Sequence, residues 1–64
     1  MWTIWLEHND TPPEVLGRFR DEDDMWDEVG RIMTDSRWRG STCIVRDGDA
    51  VIWHQRIPTK KGNI

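Results

Sequence analysis

A chain of 64 residues has room for one small domain, and a domain this short buries only about 60% of the surface its unfolded form exposes. Twelve acidic against nine basic side chains leave a net charge of −3, which suits a soluble surface and argues against a dedicated nucleic-acid binder. Cys43 is the only cysteine, which excludes an internal disulfide and fits a reducing compartment.

The first 20 residues lack the basic start, apolar run and small-residue cleavage site of a signal peptide, and no stretch nears the roughly 20 apolar residues of a membrane span. A cytoplasmic address without membrane attachment is therefore expected. The aromatic content is unusual: five tryptophans, one phenylalanine and no tyrosine. So small a core need not hold all five, and tryptophan is enriched at binding interfaces.

Along the chain, Trp2, Ile4 and Leu6 alternate with Thr3, Trp5 and Glu7, which predicts a strand over residues 2–7 with Trp5 on its second face. His8 to Pro13 gathers turn formers and two prolines, and the strand must end there. Val15–Arg20 reads either as an edge strand or as an irregular arm.

Asp21 is a good N-cap, and the acids after it oppose the positive end of a helix. Met25, Trp26, Val29, Ile32 and Met33 then form an amphipathic stripe, predicting a helix over residues 21–36. Gly30 within it either weakens the helix or marks close packing. Thr42–Arg46 and Ala50–Ile57 flank Asp47-Gly48 and predict a β-hairpin with that pair at its tip. A two-residue turn there sets Ile44 opposite Val51 and Thr42 opposite Trp53, with Cys43, Val45, Ala50 and Ile52 on the other side. A bulged loop shifts that register by one, and the sequence leaves both open. Residues 59–64 are expected to form a flexible basic tail after a domain spanning 1–58.

Little in this chain suggests chemistry. His8, His54 and Cys43 lack the paired spacing of a metal site, and nothing local supplies the third group of a nucleophile and base set. No catalytic residue, metal or cofactor is expected, and the protein is not expected to be an enzyme. The acids from Asp21 to Glu28 open a helix rather than a calcium loop. Arg18, Arg20, Arg37, Trp38 and Arg39 make the best nucleic-acid candidate, since guanidiniums neutralise phosphates and an indole stacks on unpaired bases. Cations near a negative helix end explain the same residues more simply.

The expected fold is α+β: a small antiparallel sheet of three or four strands with one helix packed on one face, in the order β-(β)-α-β-β. One helix covers one sheet face, yet the strands carry apolar residues on both. A tryptophan-bearing face should stay uncovered, with Trp5, Ile44, Val51 and Trp53 as partner-binding residues and Thr3, Glu7, Arg46, Asp49 and Gln55 as a polar rim. The expected function is a small protein-binding module, an adaptor or inhibitor of a larger protein, or a homodimer. Single-stranded nucleic-acid binding through the arginine and tryptophan cluster is the alternative. In composition alone, the short, acidic, tryptophan-rich chain resembles accessory proteins of phages and mobile elements. That resemblance implies a host protein as partner.

Overall fold

A computed structural model of the chain describes residues 1–8 and 11–59; the tail expected over 59–64 lies, beyond Thr59, outside the described residues. Among the described residues there are four strands and one α-helix: β1 (Trp2–Glu7), β2 (Glu14–Phe19), α1 (Glu22–Met33), β3 (Thr42–Asp47) and β4 (Ala50–Arg56), with a short 3-10 turn at Ser36–Trp38. The strands form one antiparallel sheet in the order β2-β1-β3-β4. This is the expected small α+β fold, and the segment left open over Val15–Arg20 supplies an edge strand over Glu14–Phe19.

The alternation in β1 does what it predicts: Ile4 and Leu6 are fully buried toward the helix, while Thr3 and Trp5 are half-buried on the other face. Asp21 caps α1, its Oδ1 accepting from the backbone N–H of Asp23 at 2.8 Å and of Asp24 at 3.4 Å. Glu22, Asp23 and Asp24 fill the first turn and Arg31 the last, each sign placed where the helix dipole favours it. Met25, Val29 and Ile32 are buried beneath it. They meet Ile4, Leu6, Cys43, Val45 and Ile57 in one core.

α1 ends at Met33, three residues before the expected Ser36. Two polar side chains compete with the helix for backbone groups there. Thr34 Oγ1 donates back to the carbonyls of Gly30 and Arg31 at 3.3 and 3.1 Å. Asp35 Oδ1 accepts from the Arg37 N–H at 2.9 Å and starts the 3-10 turn instead. Gly40, at φ 85°, then reverses the chain into β3, a conformation that favours glycine.

A Cβ at Gly30 would meet nothing within 4 Å, so this glycine marks no close packing. Gly30→Ala should therefore stabilise the domain by about 0.5–1 kcal/mol, raising Tm by several degrees. A thermal melt checks this, and a lowered Tm would contradict the position of α1.

Two expectations about tryptophan are corrected. Trp26 lies at the rim rather than in the core: it is 36% exposed, and its Nε1 donates to Glu22 Oε2 at 3.2 Å. Its ring packs edge-to-face on Trp53, centroids 5.7 Å apart. Trp53 consequently belongs to the helix side of the sheet, not to the open face. The hairpin explains why. Its tip is Gly48-Asp49, with Gly48 at φ 61° and Asp47 paired with Ala50, and an extra residue, Ile52, then bulges from β4 so that Val45 pairs with Trp53. Ile52, expected beside Cys43 and Val45, is 47% exposed at that bulge. A matching bulge at Leu16 in β2 turns that side chain toward the core.

Candidate protein-binding face

α1 packs over β1, β2 and β3 on one side of the sheet. On the other side no described residue of the sheet is buried. The strand registers arrange that open face in three rows running across the strands. The first holds Arg18, Thr3, Arg46 and Val51; the second Val15, Trp5, Ile44 and His54; the third Glu7, Thr42 and Arg56. A middle row that is apolar on β2, β1 and β3 and ends in His54 on β4 thus lies between two rows that carry arginine.

Trp5 is fixed in the middle of this face. Its Nε1 donates to Thr3 Oγ1 at 2.9 Å, which satisfies the indole N–H within the chain. The Arg46 guanidinium carbon stands 4.8 Å from the centre of the Trp5 ring, a cation–π contact worth about 0.5–1 kcal/mol at an exposed site. Arg46 Nε is buried with no hydrogen-bond partner among the described residues. An unsatisfied buried donor costs about 1–3 kcal/mol, so the free domain holds this arginine at some expense in stability.

Of the four residues expected to bind a partner, Trp5, Ile44 and Val51 share the open face, and Val51 is 51% exposed. Trp53 is separated from them by the sheet. Arg46, expected only in the rim, is central. Its spacing from Trp5 carries no local signal, because the contact is made across β1 and β3. Val15 and His54 also join the middle row, brought there by pairings of the two edge strands.

The alternative nucleic-acid residues do not gather on one surface. Arg18 lies on the open face in β2, and Arg20 is exposed just past its end. Arg37 is held by Asp35, with Nη2 to Oδ2 at 2.7 Å. The hydrogen bonds to Arg37 lower the Asp35 pKa from its ordinary value, and the same carboxylate raises that of Arg37. Trp38 is half-buried against the core and tilts over His8, centroids 5.9 Å apart. Only Arg39 of this trio is exposed without an ion-pair partner among the described residues.

One polar arrangement was not foreseen from the sequence. His8 Nδ1 lies 2.8 Å from Ser41 Oγ, and its Nε2 lies 3.7 Å from Glu14 Oε1. The order serine, histidine, carboxylate invites a catalytic reading. Ser41 is only 5% exposed, however, and a nucleophile must reach its substrate. Its backbone shows its structural use: the N–H donates to the Trp38 carbonyl at 3.0 Å, and the carbonyl accepts from the Ile57 N–H at 2.7 Å. Ser41 and His8 together fasten the start of β3 to the end of β1.

Cys43 is fully buried in the core, where desolvation pushes its pKa up to about 11 and keeps the thiol protonated and unreactive. Among the described residues no three of His, Cys, Asp and Glu converge as metal ligands, and no helix is long and apolar enough to cross a membrane. No protein-family model, curated protein or solved structure matches the chain.

Proposed function

We propose that this domain is a protein-binding module, an adaptor or inhibitor of a larger protein, which engages its partner on the open sheet face. The observation that supports this is the uncovered row of Val15, Trp5 and Ile44, with Val51 beside it. Contiguous apolar surface of this kind, rimmed by polar groups, is typical of interfaces, and tryptophan with arginine is their usual anchor composition. The molecule is flat, 36 × 27 × 16 Å, so its broad face has room for the about 800 Å² that one side of a standard interface covers.

In this reading the domain is not a catalyst, and it works in the cytoplasm, where a lone buried thiol needs no oxidising partner. A host protein as the target agrees with the compositional resemblance to phage and mobile-element accessory proteins. Nucleic-acid binding receives less support, because Arg37 is neutralised by Asp35 and Trp38 is folded onto the core.

Photocrosslinking from defined positions tests the proposal. A benzophenone side chain at Val51 or His54, both exposed on the open face, should yield discrete protein adducts on irradiation in cells. The same group at Asp27, exposed on α1, should not. Adducts from Asp27 with none from Val51 or His54 would place the partner on the helix side and defeat the proposal.

A further inference from the structure

We infer that the segment bound by the open face is an acidic amphipathic helix, lying along the middle row with its carboxylates on the arginines at either side. This rests on the protein-binding reading above and names the partner's chemistry.

The arginines of the strands, of α1 and of the turn after it divide by face, while Arg20 and Arg39, outside the strands, are exposed without an ion-pair partner among the described residues. On the helix side, Arg31 is paired with Glu28 at 2.8 Å and Arg37 with Asp35 at 2.7 Å. On the open face, Arg18, Arg46 and Arg56 have no carboxylate partner among the described residues, and Glu7 is the one acid that the registers place with them. In a chain of net charge −3, three unpaired arginines thus share the face whose apolar residues are left uncovered. Electrostatic complementarity selects an acidic partner for such a surface.

Arg46 sharpens the choice. Its guanidinium is positioned over Trp5, its Nε is buried without an acceptor, and no hydrogen bond from its side chain to a described residue is present. A carboxylate from outside is the strongest acceptor for its remaining N–H groups, and a guanidinium already held in place loses little freedom on binding it.

The dimensions suit a helix. Four strands about 4.8 Å apart carry the middle row across roughly 14 Å, the length of about nine or ten helical residues. Rows on one face follow at about 7 Å, two residues along each strand, so the arginines stand just outside the roughly 5 Å half-width of a helix about 10 Å across, where its flanking carboxylates would reach them. Leucine-like side chains pointing down would meet Val15, Trp5 and Ile44. Acids on both flanks would meet Arg18 and Arg46 on one side and Arg56 on the other.

A single-stranded nucleic acid would also neutralise arginines, but it needs bare aromatic faces on which to stack its bases. Here the Trp5 ring carries Arg46, its N–H is taken by Thr3, and its row neighbours are aliphatic. The surface favours a peptide.

Three probes at equal concentration test this in ¹⁵N-labelled protein: a 14-residue helical peptide with a leucine stripe flanked by glutamates, the same peptide with lysines for glutamates, and a dodecamer of thymidine. The glutamate peptide should shift the amides of Thr3, Trp5, Ile44 and Arg46, bind at least tenfold more tightly than the lysine peptide, and weaken with added salt. Arg46→Gln should lower its affinity about tenfold, and Arg18→Gln with Arg56→Gln, both at exposed positions, should do the same with the spectrum of the fold unchanged. Equal binding of both peptides on this face would overturn the acidic partner while leaving the protein-binding reading in place. Shifts from the thymidine dodecamer alone would overturn both. Sedimentation of the free protein as a dimer whose open-face amides are already protected would overturn the acidic helix alone, since a second copy would then be the occupant.

Discussion

Replacing Leu6 with alanine should unfold the domain, whereas replacing Trp26 should only loosen it. Leu6 is fully buried on β1, between its partners in β2 and β3 and beneath α1. Truncating such a side chain costs about 2–5 kcal/mol, the lost transfer energy plus the cavity left behind. A domain of this size has a stability of roughly 3–10 kcal/mol, so the loss takes most of what is there. Trp26 has the larger side chain and by size alone would rank as the worse loss. Its position reverses the order: it is 36% exposed, its N–H is met by Glu22 at the surface, and its contact with Trp53 is a single edge-to-face pair worth about 0.5–1.5 kcal/mol beyond burial. Urea titrations of the two variants decide the matter. A Trp26→Ala variant as unstable as Leu6→Ala would mean that α1 sits on the sheet with a different face down.

The outline of the fold was legible because local signals agreed with tertiary packing. The alternation from Trp2 to Glu7 named the buried face of β1, and Asp21 with the acids after it marked the start of α1. The helix end was misplaced because Thr34 and Asp35 divert backbone hydrogen bonds to their side chains, an effect that apolar periodicity does not carry. The hairpin was foreseen but its register was not. Period-two reasoning put Ile44 and Val51 on one face, and that relation survives because Val51 pairs with Arg46, two residues from Ile44. It put Trp53 there as well, and a single bulged residue, Ile52, moved every later residue of β4 to the opposite face. The same sensitivity hid Arg46. Its partner Trp5 lies 41 positions earlier, and only the β1–β3 register brings the two together.

Trp5 and Trp53 therefore make a paired experiment in which one residue should govern binding and the other stability. Trp5 is half-buried on a face that no helix covers, and it supports Arg46 from below. Trp5→Ala removes the largest apolar surface of the middle row and leaves the guanidinium without its platform, so binding should fall by at least about 2 kcal/mol, roughly 30-fold. The core beneath is untouched, because Ile4 and Leu6 point the other way, and the fold should persist. Trp53→Ala acts on the helix side, where the ring packs against the core cluster and Trp26. It should lower Tm while the folded fraction binds its partner with unchanged affinity. Trp5→Phe separates the ring from its hydrogen bond: an aromatic platform is kept and the N–H to Thr3 is lost. Binding close to that of the native protein in Trp5→Phe, with loss in Trp5→Ala, would assign the effect to the platform. If Trp53→Ala abolished binding in protein shown to be folded, or Trp5→Ala left it intact, the interface would lie on the helix side and the open face would be ordinary surface.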